Sequence, residues 1–289
     1  MKRAFLILAA SILSFYTFAQ KQTEFHVDKT YSLDQTGTVY LSAHDAKVTI
    51  IGENRKDVAV KIDYYMHTKG IEWGTREFTV DIDSRGDDLY ITEHRVNNSG
   101  IMGSVSIEYK IVIKAPVGSN WDIDGDDDDY NIRSINGDIS INADDADVIM
   151  KDCRGNKFYF DLDDGDISMD QGKGELTARM DDGDIEIRNA HFETINYRGD
   201  DGDVSIETSI SPNAMFKFSG DDATFDLVFT NGGGSFTIKH DNGNIDYDNN
   251  FRMMDKEQNL LSLSLTGGRG KIIISGDDIR VNLSSTQSN

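Results

Sequence analysis

The side chains best placed to do chemistry in this sequence are aspartates that flank glycine. Asp164-Gly165-Asp166, Asp182-Gly183-Asp184 and Asp201-Gly202-Asp203 recur with their glycines 18 and 19 residues apart. If the chain stacks at that period, the six carboxylates form two columns. Two unit charges about 5 Å apart in water repel by roughly 1 kcal/mol, and by more where water is partly excluded. Solvent and salt can relieve this, since Asp is a good turn residue and its carboxylates splay into water. A hard cation can relieve it too, because Ca2+ takes six to eight oxygen ligands from carboxylates and turn carbonyls. Asp164, Asp166, Asp182, Asp184, Asp201 and Asp203 are therefore the candidate Ca2+ ligands, with the solvated turn as the simpler reading. Carboxylate pairs can also work as acid and base when their environments differ. Near-identical turns argue against one specialised pair.

Other chemistry finds less support. Asp122-Ile123-Asp124-Gly125-Asp126-Asp127-Asp128 resembles an EF-hand loop, but its glycine comes one position early and Arg133 stands where a bidentate Glu belongs. Gly267-Gly268-Arg269-Gly270 lacks the Asp of a Gly-rich calcium repeat. The six histidines show no metal-ligand spacing. No nucleophile elbow, phosphate loop or Cys-x-x-Cys occurs. The lone Cys153 fits a small buried apolar role. No catalytic or cofactor-binding residue is nominated, and Ca2+ is the sole cofactor the sequence raises.

The elements that must position these aspartates read as strands. Val48-Thr49-Ile50-Ile51, Val58 to Ile62, Phe78 to Ile82 and Val105 to Ile113 alternate or run apolar with β-branched residues. The stretch Met253–Leu263 is the one place where a short helix could sit. From about residue 125 the text repeats. Asn136-Gly137-Asp138-Ile139-Ser140-Ile141 returns at Asp164–Met169, Asp182–Ile187 and Asp201–Ile206, more weakly at Asn242–Tyr247, and last at Gly276–Val281. Gly155, Gly174 and Ala146 fall near the midpoints. The glycine suits a tight corner with positive φ, and the next residues alternate. Ile139, Ile141, Ile167, Met169, Ile185, Ile187, Val204, Ile206, Ile245 and Tyr247 should point inward. Ser140, Ser168, Glu186, Ser205 and Asp246 should point out. The aromatics at Phe216, Phe218, Phe225, Phe229 and Phe236 should continue the core. One coil cannot bury its own apolar face, so coils stack.

The expected fold is all-β: a single-stranded parallel β-helix or β-solenoid, right-handed, with coils of about 18–20 residues, preceded by a strand-rich amino-terminal part. The expected divisions are a signal peptide at 1–19, that strand-rich part at 20–118, and acidic solenoid repeats at 119–289. An exposed end coil invites strand pairing, so a cap or a partner is expected.

Residues 1–20 begin with Lys2 and Arg3, continue with an apolar run from Ala4 to Phe18, and carry Thr17 and Ala19 before Gln20. This is the pattern of a cleaved secretory signal, and no later run is long enough to span a membrane. The chain has 289 residues, 29 basic and 51 acidic, for a net charge of −22. Removing Lys2 and Arg3 leaves 27 basic against 51 acidic side chains, a charge of −24. That charge repels phosphate backbones and anionic membranes. One cysteine forms no internal disulfide.

These residues resemble a known group. Gly-Asp-Ile/Val strands on short coils are similar to the adhesin-type β-solenoid domains of exported bacterial proteins, a domain class of unknown function. Gly37-Thr38-Val39-Tyr40, Val48–Gly52 and Leu89–Thr92 agree in order. So does Tyr109–Gly118, with its strand ending in Pro-x-Gly. The chain departs from the pattern by doubling its acids and by Asp129-Tyr130-Asn131-Ile132, where a glycine is expected. The resemblance implies fold and export and brings no catalytic residues. The leading expectation is an exported, non-catalytic envelope or surface protein that presents an acidic solenoid to a glycan or protein partner. A Ca2+-dependent glycan- or protein-binding module is the first alternative. A carbohydrate-active lyase or hydrolase on a β-helix is the second.

Overall fold

The computed structural model describes residues 21–287, and every regular element among them is a β-strand. The expected signal peptide lies outside the described residues. The amino-terminal end holds β1 (Lys21–Ser32), β2 (Thr38–Ser42), β3 (Lys47–Glu53), β4 (Asp57–Arg85) and β5 (Asp88–Pro116). The middle holds β6 (Asn120–Asp124), β7 (Asp128–Arg133), β8 (Ile139–Lys151), β9 (Lys157–Asp164), β10 (Ile167–Met180), β11 (Ile185–Gly199), β12 (Asp201–Thr208), β13 (Met215–Ser219) and β14 (Asp222–Phe229). The carboxyl-terminal end holds β15 (Gly234–Tyr247), β16 (Phe251–Glu257), β17 (Leu260–Leu265) and β18 (Gly270–Ser285).

Each middle coil crosses the molecule twice, so a β-solenoid with two parallel ladders results. One ladder stacks 120–124, 139–142, 158–162, 175–180, 194–198 and 215–219. The other stacks 128–133, 146–151, 167–170, 185–187, 204–206 and 225–227. The apolar alternation of both ladders faces one interior. Tyr197 and Phe218 of the first ladder meet Phe225 of the second at ring-centroid distances of 6.0 and 5.8 Å. Two corners close each coil. The acidic corner joins the first ladder to the second near 143–147, 163–166, 181–184 and 200–203. The opposite corner returns the chain near 152–156, 171–174 and 189–193.

The ends are built differently. β5 runs parallel to β2 over 89–92 and to β3 over 110–116, forming a layer outside the β2–β3 coil. β4 then pairs antiparallel along β5, and β1 pairs antiparallel with Asp57–Thr68 of β4. At the other end β18 inserts between the β13–β14 coil and β15. β17 lies antiparallel to β15, and β16 antiparallel to β17. Antiparallel layers thus cover the amino-terminal end and one half of the carboxyl-terminal end of the parallel stack, while the 240–247 half of β15 is an outer edge. Among the described residues, 69–77 of β4 and 96–104 of β5 pair only with each other, leaving a two-stranded arm with Ile71, Trp73 and Met102 exposed.

Several expectations need correction. Ile139 pairs with Phe158, whereas Ile167 pairs with Val148. The Asn136–Ile141 copy of the motif therefore sits half a coil out of phase, at the opposite corner. Ala146 belongs to the glycine column rather than to a midpoint, since a side chain at Gly165 would meet its carbonyl at 2.3 Å. Gly243 aligns with Ile279 and Ile245 with Val281, so the Gly276 copy is shifted by two residues. Tyr247 is exposed because its half of β15 forms the outermost layer and pairs with β18 alone. Met253–Leu263 forms the β16–β17 hairpin, whose pairing supplies the hydrogen bonds that an isolated helix would have had to make internally.

Candidate functional site

The acidic corner follows from its glycines. Gly165, Gly183 and Gly202 take φ of 113°, 130° and 137°. A Cβ at Gly183 would lie 2.1 Å from the Gly165 carbonyl, and one at Gly202 would lie 2.2 Å from the Gly183 carbonyl. Each glycine is thus required twice, by its backbone angle and by the close approach of the coil beside it.

The six candidate aspartates all lie at this corner, exposed, and they divide into two columns with different roles. In the first column the carboxylates join coils. The Asp184 backbone N–H donates to Asp166 Oδ1 at 3.0 Å, and the Asp203 N–H donates to Asp184 Oδ1 at 2.9 Å. The column begins one coil earlier, at Asp147, whose Oδ1 accepts the Asp166 N–H at 3.2 Å. Sequence reading missed Asp147 because no glycine accompanies it. The opposite corner uses the same device: Asn120 Oδ1 accepts the Asp138 N–H at 2.9 Å, and Asp138 Oδ1 accepts from Asn156 and Lys157 at 3.2 and 3.1 Å. Shared use of this hydrogen bond is why the out-of-phase motif reads as another copy.

The second column is Asp145, Asp164, Asp182 and Asp201. It has no basic partner within ion-pair distance among the described residues, and its members repel. Crowding in the turn and then the neighbouring Asp201 and Asp164 push the Asp182 carboxyl above its ordinary range. Asp145 shifts the same way, from desolvation and then Asp164. Among the described residues no group of three or more His, Cys, Asp or Glu side chains converges as a metal would require.

The Asp122–Asp128 stretch is satisfied by protein. Asp128 is buried, and its carboxylate accepts the Ala46 N–H at 2.6 Å, the Asp126 N–H at 3.0 Å and the Tyr130 hydroxyl at 3.0 Å. Desolvation still pushes its carboxyl up against those three donors. Cys153 is buried, and burial raises its thiol. His191 does not pair with it; its Nδ1 lies 2.8 Å from Ser209 Oγ.

The opposite corner carries residues of another kind. Ser134, Asp152, Gln171 and Asn189 hold left-handed φ of 59°, 54°, 71° and 54°, one on each successive coil. A groove of about 600 Å3 runs across this corner, lined by Arg154, Gln171, Gly172, Lys173, Asn189 and His191. Gly172 and Ala190 pair at its floor, with Lys173 and His191 paired beside them. Arg154 Nε and Nη2 both donate to Gln171 Oε1, at 3.0 and 2.9 Å. Asn189 donates to Asp170 Oδ1 at 2.9 Å. Neither Arg154 nor Lys173 has a carboxylate within ion-pair distance among the described residues. The sequence did hold a trace of this groove. Arg154, Lys173 and His191 keep the coil period, at spacings of 19 and 18 residues, but in three different residue types.

A sequence model of the Toastrack DUF4097 family matches residues 38–289. No protein of curated function matches the chain. A solved structure from Clostridium sporogenes ATCC 15579, provisionally named a cell adhesion protein, aligns at 11% identity and a TM-score of 0.24, covering 93% of this chain and 100% of its own. One from Parabacteroides distasonis ATCC 8503, provisionally named an adhesin, aligns at 10% identity and a TM-score of 0.47, covering 92% of this chain and 97% of its own.

Proposed function

The chain belongs to the Toastrack DUF4097 family, and from that premise we propose that it is an exported envelope or surface protein whose solenoid serves as a non-catalytic interaction surface. The observation that carries this reading is the fate of the carboxylates. Asp147, Asp166 and Asp184 bind backbone N–H groups of the coil that follows. The second column repeats one turn position coil after coil. Acid–base catalysis needs two carboxyls whose surroundings push them apart, and repetition works against that. Repetition does suit a long interaction face. The antiparallel layers suit it as well, because they close the amino-terminal end and half of the carboxyl-terminal end of the stack against edge-to-edge growth. The signal-like residues 1–19 support export.

Two measurements test this together. Antibody labelling of intact and permeabilised cells should place the protein outside the cytoplasm. Incubation with acidic polysaccharides should release neither new reducing ends nor unsaturated products. Retention in the cytoplasm, or any turnover, overturns the proposal.

A further inference from the structure

We infer that the groove at the opposite corner binds an acidic carbohydrate chain, one whose sugars carry carboxylates, without a metal ion. The inference deepens the interaction reading above and rests on it.

Four observations converge. The first is the chemistry of the lining. Arg154 and Lys173 supply cations, and Gln171, Asn189 and His191 supply amide and imidazole groups, with Ser209 beside His191. Cations with amides suit a ligand that is both anionic and rich in hydroxyls. A bare anion would leave the amides unused, and an apolar ligand would leave the cations desolvated.

The second is the available valence. Arg154 spends Nε and Nη2 on one oxygen of Gln171. That contact holds the guanidinium in place, leaves Nη1 for a ligand, and frees the Gln171 amide N–H groups. His191 commits Nδ1 to Ser209 and keeps Nε2.

The third is strain. Gln171 sits at φ 71°, in a region that glycine enters without penalty and a non-glycine residue seldom occupies. Three residues on, at the same corner, Gly174 meets a positive φ of 81° with glycine, whereas Gln171 keeps a side chain. A strained side chain retained at a groove points to use of that side chain.

The fourth is spacing. The groove spans successive coils, which stack about 4.8 Å apart. Its lining presents similar groups on consecutive coils at roughly the repeat of an extended sugar chain.

Electrostatics permits this despite the overall charge. Asp152, Asp170 and Glu193 lie at the same corner, and Asp170 is engaged by Asn189. The aspartate columns lie across a strand of about five residues, roughly 16 Å. That exceeds the Debye length of about 8 Å at physiological salt.

The test is calorimetric titration of the full chain with a galacturonic acid hexamer, in chelator and at physiological salt. Maltohexaose, inorganic phosphate and inorganic sulfate serve as separate probes. Saturable binding of the hexamer is expected, with none of maltohexaose and much weaker binding of the two ions. Arg154→Glu with Lys173→Glu should weaken the hexamer by about tenfold or more, since two charge-assisted contacts are reversed, with Tm unchanged. Gln171→Gly should weaken it as well without lowering Tm, a result that a purely structural role for Gln171 would not give. Lack of saturable binding overturns the inference. So does equal binding by the double variant, or phosphate or sulfate binding as tightly as the hexamer, which would mark a simple anion patch. These failures leave the interaction reading standing, because that reading fails on localisation or turnover.

Discussion

The two corners of the coil turn the chain by different means. At the acidic corner the backbone turns on glycine, and the aspartate that follows donates its N–H to the carboxylate of the coil before. At the opposite corner Ser134, Asp152, Gln171 and Asn189 keep side chains at left-handed backbone angles, with Gly174 at φ 81° joining Gln171 on its coil. A corner can therefore be built at an angle that glycine alone reaches or at one that still admits a side chain. The first choice serves the stack. The second keeps functional groups on the surface, at a modest cost in backbone strain.

The largest expected effect attacks the glycine corner. Gly183→Val places carbon against the Gly165 carbonyl, where a Cβ alone would stand at 2.1 Å. It should cost about 4 kcal/mol or more by urea denaturation, if the protein folds at all. The same experiment at Gln171 or Asn189, changed to Gly, should cost nothing and can raise the midpoint, because the native angle is one that glycine favours. Equal losses at both corners would erase the distinction.

Next is Asp128→Ala. It strands the Ala46 and Asp126 N–H groups and the Tyr130 hydroxyl in a buried site. The expected loss is about 3 kcal/mol, read in the same way. A loss near zero would mean that water replaces the carboxylate.

The two aspartate columns should separate more finely. Asp184→Ala removes an acceptor from the Asp203 N–H and should lower stability by about 1 kcal/mol. Asp182→Asn should raise Tm, because it removes a repelling charge. Asp182 and Asp145 have carboxyls raised above the ordinary Asp value. A raised native carboxyl binds protons more readily folded than unfolded, so it contributes stability below the unfolded value and loses it as pH rises through the native one. The advantage of Asp182→Asn should thus be full at neutral pH and shrink on acidification toward the ordinary carboxylate range. Added monovalent salt should raise the wild-type Tm more than that of Asp182→Asn. At equal ionic strength, calcium and chelator should give the same Tm. A calcium-specific rise would restore the cation reading of these six aspartates.

The sequence made the acidic corner legible because its cause is repeated verbatim. A positive φ with a carbonyl in the place of Cβ admits glycine alone, so Gly165, Gly183 and Gly202 announce themselves. Inward positions such as Ile167, Ile185 and Val204 were legible for the same reason, since alternation survives any choice of apolar residue. The phase of Asn136–Ile141 was not legible. Both corners use an Asx side chain to accept the N–H of the coil that follows, so the motif does not say which corner it builds. The caps were hidden because the antiparallel pairing of β1 with β4 and of β15 with β17 carries no repeated motif, so Tyr247 read as core and Met253–Leu263 as a helix. The groove was hardest to read. Arginine, lysine and histidine share its period, but shared chemistry in different residue types leaves no motif.

The claim that the corners divide the labour is tested most directly by measuring Tm and galacturonate-hexamer affinity together on two variants, Asp184→Ala and the Arg154→Glu, Lys173→Glu pair. The account predicts a double dissociation. The first variant should lose Tm and keep its affinity, and the second should lose affinity and keep its Tm. Both quantities falling together in either variant would contradict it.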